Sequence, residues 1–416
     1  MLNACSNKKI TNSRDYSAFL SDNKRMEKQL GKINDEIKFW ENKLIKDTGN
    51  FVDMLQLAAN HVKRFKTNGN VADLHIADSF YAICLSKVKT SDPEIYFSVS
   101  QNAITQHRFN DAWESLVIAD SIGVNPYILR LLRFDAAMEI GLYPQASANI
   151  EKLDKKNFDY LIRKAKLEDH EGDLDNAIKL MEQALKDVEA KNRKPLVHWA
   201  KSNLADMYGH AGRVEEAYKY YVDILKEDSS YLYALKGIAW IAYSHDHDTK
   251  EAKRIINYIL SQTNMPDLNL MLAEIEEWEG NKDEKKKYID KFLSEVEKPG
   301  YGNMYNKYLI TIYTKDKQEY DKALAIAEKE VSSRPTPETY SWLAWVNFKM
   351  GDKQKAYELV KKYVVGKDFE PESQLHAAYI LKAQGEISKA KQLLSDCLES
   401  SFELGPVTSE EIRKNL

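Results

Sequence analysis

Glycine and proline are scarce in this chain, at 16 and 10 of 416 residues. Folds made of many strands and tight turns use more of both, so β-sandwiches and barrels are disfavoured and helices are expected. Three cysteines cannot build a disulfide framework. No stretch reaches the 18 or more apolar residues of a membrane-spanning helix. Positive charge is not in excess either: 60 Lys plus Arg stand against 64 Asp plus Glu, a net charge of -4. Such a chain has no cationic field to gather phosphates, which argues against nucleic acid as a partner. What is present is foldable, with 43% hydrophobic and 30% charged residues. The length exceeds an ordinary single core, so the chain is either several domains or a repeat array.

Self-similarity decides for the array. Gly141, Gly172, Gly212, Gly280, Gly351 and Gly385 are followed five residues later by Ala146, Ala177, Ala217, Lys285, Ala356 and Ala390. Seven residues before the same glycines stand Phe134, Ala165, Ala205, Ala273, Ala344 and Ala378. Apolar residues on either side keep helical spacing, as in Leu174, Ile178, Met181 and Leu185. The pattern predicts two antiparallel helices whose small residues let the backbones approach, joined by a tight turn where glycine takes positive φ. Extending the second-helix position gives Ala77, Ala112, Ala146, Ala177, Ala217, Ala252, Lys285, Ala323, Ala356 and Ala390, hence about ten hairpins.

These residues resemble the tetratricopeptide repeat family, most clearly from Trp342-Leu343-Ala344-Trp345 through Gly351-Asp352 to Ala356, then Ala378, Gly385 and Ala390. The resemblance covers roughly residues 55 to 400. It departs from the family pattern at Lys285 and at the turns before Ala252 and Ala323, which lack glycine. It implies an all-α, right-handed solenoid of stacked helix-turn-helix repeats, whose first helices line a concave groove where protein partners bind. The expected layout is a flexible tether over 1–13, an amphipathic capping helix region over 14–50, the solenoid over 51–400 and a tail over 401–416. The capping helix is read from Met26, Leu30, Ile33, Ile37, Trp40 and Leu44, spaced alternately four and three apart.

Leu2-Asn3-Ala4-Cys5, followed by polar residues, resembles the cleavage box of bacterial lipoproteins. That resemblance implies lipidation at Cys5 and a membrane-anchored place in the bacterial cell envelope, facing the periplasm or cell surface. No basic or apolar leader precedes the box in this sequence. The alternative is a cytoplasmic scaffold in which Cys5 is incidental.

Enzyme signatures are missing: no phosphate-binding loop, no nucleophile elbow, no Cys-x-x-Cys, no His-Glu-x-x-His. Cys84 and Cys397 each follow a hairpin alanine by seven residues, which predicts small buried slots. Ser244-His245-Asp246-His247-Asp248 offers weak zinc ligands but falls where a solvated turn belongs. No cofactor or metal is expected. Positions one and four after the first-helix small residues should face the groove: Trp240 and Tyr243, Trp345 and Phe348, Tyr379 and Lys382, with Trp278 nearby. Large aromatics there suit an extended peptide because they bury much area at little entropic cost. One variant of the family clamps a terminal carboxylate with a basic cluster; Lys236 stands alone here, so that activity is not implied. The expected function is a non-enzymatic protein- or peptide-binding scaffold, with carbohydrate or small-molecule binding as the rival from another class.

Overall fold

The computed structural model describes residues 8–21, 23–88 and 92–416, so Cys5 lies outside the described residues. After two short turns of 3-10 helix, α1 (Asn23–Lys46) packs on α2 (Phe51–Asn68), which pairs with α3 (Ala72–Val88). The next four hairpins are α4 (Ile95–Thr105) with α5 (Phe109–Ile122), α6 (Pro126–Glu139) with α7 (Tyr143–Ile150), α8 (Phe158–His170) with α9 (Leu174–Ala190), and α10 (Lys194–His210) with α11 (Val214–Glu227). Three more follow: α12 (Leu232–Ser244) with α13 (Thr249–Gln262), α14 (Leu268–Trp278) with α15 (Lys282–Val296), and α16 (Asn306–Lys315) with α17 (Tyr320–Ser333). The last two are α18 (Pro337–Lys349) with α19 (Lys353–Leu359), which widens into a π turn over Val360–Val364, and α20 (Pro371–Ala383) with α21 (Ile387–Glu399). A final helix, α22 (Ser401–Asn415), follows. The protein is thus an all-α helical-repeat solenoid of ten hairpins.

The second-helix alanines explain the pairing. Ala77, Ala112, Ala146, Ala177, Ala217, Ala252, Ala323, Ala356 and Ala390 are all fully buried, one per hairpin, where a larger side chain would hold the helices apart. The departure at Lys285 is compensated electrostatically, its Nζ lying 2.6 Å from Asp316 and 3.0 Å from Glu277. Asp173, Asp248 and Asp352 cap α9, α13 and α19 by accepting from the backbone N–H three residues on. Pro126, Pro337 and Pro371 open their helices, where a missing N–H costs nothing.

A linear array would let each hairpin touch only its neighbours. This one winds tightly enough that its early coil rests on its later coil. Asn264 N donates to Asn68 O at 2.8 Å, and the His75 imidazole meets Gly300 O at 2.8 Å. Asn110 Nδ2 donates to Ser333 O, 223 residues away, and Arg334 lies 3.8 Å from Glu139. Gly172 sits in the left-handed region at φ 86, and a Cβ there would come within 2.8 Å of the Phe369 ring. The same edge of the ribbon, the hairpin turns, meets the loops between later hairpins each time.

Both ends differ from the expected tether and tail. Residues 9–11 are held across the sixth hairpin turn: Asp246 accepts from Ile10 N (2.9 Å), Thr11 N (2.8 Å) and Thr11 Oγ1 (2.6 Å), and Lys9 Nζ pairs with Asp248 at 2.6 Å. Burial would raise the Asp246 pKa, but these donors hold it below the usual carboxylate range. The expected solvated His-Asp turn is therefore a clasp for the N-terminal segment. At the other end, α22 bends back to pack on α10, α12 and α14. Cys84 and Cys397 occupy buried slots, with burial pushing the Cys397 thiol up to about 12.

Candidate binding cavity

The first helices turn one stripe toward the axis of the coil. On α12 it is Tyr233, Lys236, Gly237 and Trp240; on α18, Trp345, Phe348 and Lys349; on α20, Leu375, His376, Tyr379 and Lys382. Steps of three and four place these residues on one helix face. Together with the matching faces of α10, α14 and α16, and with α22 along one side, they surround a cavity of about 1030 Å³.

Five of the seven expected groove residues meet there: Trp240, Trp345, Phe348, Tyr379 and Lys382. Trp345 anchors an aromatic ledge, stacked on His376 at 4.4 Å and 12° with Phe348 at 5.5 Å and Tyr379 at 6.1 Å. Lys382 Nζ donates to Asn415 O at 2.6 Å, and Trp240 Nε1 donates to Phe402 O at 2.9 Å. Two expectations fail. Tyr243 is fully buried and donates its hydroxyl to Glu274 at 3.2 Å, so it supports the wall instead of forming it. Trp278 does not line the cavity; it stacks on His247 of the preceding hairpin turn at 5.6 Å.

Of the charged side chains in the wall, only Lys382 is among the groove residues expected from the spacing. Lys236 pairs with Asp267 at 2.5 Å, Lys307 with Glu372 at 2.9 Å, and Lys315 with Glu277 at 3.0 Å. Other carboxylates have hydroxyl partners: Asp206 accepts from Tyr233 at 2.7 Å and from Tyr221, and Glu411 from Tyr379 at 3.4 Å. Burial raises Glu274 to about 7, against the pull of the Tyr243 hydroxyl, Lys315 and Lys285. Burial, then Glu403 and Asp368, raises Glu370 to about 7. Burial also lowers His376 to about 4, so its ring stays neutral. The wall is therefore aromatic and mixed in charge, with carboxylates in surplus over lysines. A signal for Glu274 and Glu277 was available, since they stand one and four after Ala273, the same offsets as the aromatics elsewhere.

Chemistry on bound molecules finds little support in this arrangement. Ser341 Oγ lies 3.2 Å from His376 Nδ1, yet Ser341 is fully buried, so no substrate carbonyl can reach it. Among the described residues no three His, Cys, Asp or Glu side chains are grouped to hold a metal ion, and no helix is long and apolar enough to cross a membrane.

No family model and no curated protein matches the chain. Solved structures with a similar course of helices include a tetratricopeptide repeat protein from Parabacteroides merdae ATCC 43184, 19% identical, covering 62% of this chain and 96% of that one with a TM-score of 0.35. PilW, a widely conserved type IV pilus biogenesis factor, is 13% identical over 51% of this chain and 97% of its own, with a TM-score of 0.40. Yeast Tom70 is 14% identical over 97% of each chain, with a TM-score of 0.36. Likeness this loose carries nothing about function, which has to be argued from the cavity itself.

Proposed function

We propose that the protein is a non-enzymatic scaffold that binds a polypeptide segment in its inner cavity. The observation that carries this is the ledge of Trp345 and Phe348, one turn apart on α18, with Tyr379 of α20 beside them, bordered by charged groups. Aromatic faces supply contact area at low entropic cost, and flanking charges fix orientation. A cavity of about 1030 Å³ holds a short segment and not a folded domain.

A photo-crosslinker placed at Tyr379 in the native cell, with Ile118 on the second helix α5 as the control position, tests this. Polypeptide adducts specific to Tyr379 are expected. Substituting Trp345→Ala together with Phe348→Ala should lower adduct yield about tenfold with helical content unchanged. Adducts only to glycans or metabolites would favour the small-ligand alternative, for which the cavity volume is also suitable.

We further propose that Cys5 carries a lipid anchor and that the protein works at the bacterial envelope. Docking of the segment from Lys9 onward on the sixth hairpin leaves Ser6, Asn7 and Lys8 between Cys5 and the body. At roughly 3.5 Å per residue the anchor would hold the solenoid within about 15 Å of the membrane. Cys5→Ser should move the protein from the membrane to the soluble fraction and remove acyl label from its N-terminal peptide. Soluble wild-type protein without acyl label would support the cytoplasmic alternative.

A further inference from the structure

The start of α22 fills a site on the inner wall that is built for a polypeptide but is wrongly charged for this one. Phe402 O accepts from both Trp240 Nε1 at 2.9 Å and Ser244 Oγ at 2.7 Å, two donors four residues apart on one face of α12. The Phe402 ring lies over Gly209 of α10, where a Cβ would come within 2.6 Å of it. At Gly405 the backbone leaves helical geometry, with φ 77 and ψ 166, and a Cβ there would stand 3.2 Å from Trp240 and collide with Glu274. Beyond this hinge the helix caps the tenth hairpin through Ile412, which packs with Leu375, Ala378, Leu394 and Cys397. The docked piece is thus Phe402–Pro406, separate in role from the cap that follows.

Its charge opposes the site. Glu403 faces Asp169, Glu370 and Glu372 against His210, 3.8 Å away, and Lys307, whose ammonium is already paired with Glu372 at 2.9 Å, so carboxylates outnumber cations around it. The Glu274 carboxylate lies against Gly405. Like charges at short range in a partly dry cavity cost the docked state and leave shape and carbonyl capture to hold it.

We propose that Phe402–Pro406 is a displaceable resident of the docking site on α10, α12 and α14, and that the partner which replaces it is a polypeptide segment with an aromatic residue, a basic residue next to it and a turn after them. This deepens the proposed function by naming the partner's chemistry, and it concerns Trp240 and Ser244, not the Trp345 ledge. The basic residue would sit where Glu403 does, among Asp169, Glu370 and Glu372, with Lys307 held by Glu372 and His210 at the edge, and the aromatic residue would give its carbonyl to Trp240 and Ser244.

The test uses the full chain and fluorescent peptides of residues 399–409, one with the native sequence, one carrying Glu403→Lys, and one with the latter's residues scrambled. On a Phe402→Ala chain, the Glu403→Lys peptide should bind at least tenfold more tightly than the native or scrambled peptide. It should bind the wild-type chain several-fold more weakly, because the resident competes. Adding Trp240→Phe and Ser244→Ala to the Phe402→Ala chain should abolish the preference. Amide exchange keeps the result interpretable: Phe402→Ala should speed exchange over 401–406 while α12 stays protected. Equal binding of the scrambled peptide, equal binding to the wild-type and Phe402→Ala chains, or no binding to a folded Phe402→Ala chain would overturn the proposal. Any of these outcomes leaves crosslinking at Tyr379 untouched, so the broader function stands or falls separately.

Discussion

His376 shows how far the cavity wall departs from water at the level of one side chain. Its ring is sandwiched against Trp345 and receives or gives a hydrogen bond at Ser341, so protonation would place a cation in a dry slot. Burial outweighs the attraction of Glu372 and keeps the folded-state value near 4, whereas an unfolded histidine titrates near 6.5. Between those values the unfolded chain binds the extra proton, and stability drains away as pH falls from about 6.5 to about 4. Full expression of that gap is worth up to about 3 kcal/mol. Glu274 and Glu370 act in the opposite sense: both keep protons up to about 7, so folding gains from them as pH drops. A pH scan of wild type alone would mix these effects; a comparison with His376→Gln separates them. Denaturant unfolding should show the variant gaining on wild type by up to about 3 kcal/mol from pH 7 to pH 4, and a gap independent of pH would mean the ring is not buried as described.

At the scale of helices and turns, what was legible in the sequence was whatever repeats. Alanine at a fixed place in nine of the ten second helices marked the hairpins, because close helix packing tolerates few alternatives at that point, and Lys285 in the remaining one is tolerated with Asp316 and Glu277 beside it. The position one residue after each first-helix small residue faces the cavity in Trp240, Trp345 and Tyr379 for the same reason of fixed helix geometry. Tyr243 broke the rule because exposure depends on the neighbour, Glu274 of the next helix meeting it, and Trp278, five after Ala273 and so outside the rule, is covered by His247 of a turn. The docked N-terminal segment and α22 were not legible at all. Neither belongs to the repeat, and their partners, Asp246 for Ile10 and Trp240 for Phe402, lie 236 and 162 residues away. Periodicity contains no information about contacts of that kind.

For the whole molecule the decisive feature is that one coil rests on the next, which turns a solenoid with only nearest-neighbour coupling into a body closed along its axis. The cavity itself is lined by residues 205–415 alone, so the contacts with α2–α8 brace its frame without walling it. Two glycines separate this contribution from ordinary turn geometry. Gly172 and Gly351 occupy equivalent hairpin turns with φ of 86 and 94, so alanine meets a similar backbone penalty of about 1–2 kcal/mol at either site. They differ in surroundings: a Cβ at Gly351 meets nothing within 4 Å, whereas at Gly172 it meets the Phe369 ring of the later coil at 2.8 Å. Overpacking adds roughly 1–3 kcal/mol in a closed core and less here, since Phe369 is 49% exposed and its ring can partly yield. Gly351→Ala should therefore lower stability by about the backbone penalty and leave the radius of gyration in small-angle scattering unchanged. Gly172→Ala should cost more or, if the coils part to relieve the contact, increase the radius of gyration. Equal losses and equal radii for the two variants would mean that the coils do not bear on each other in solution.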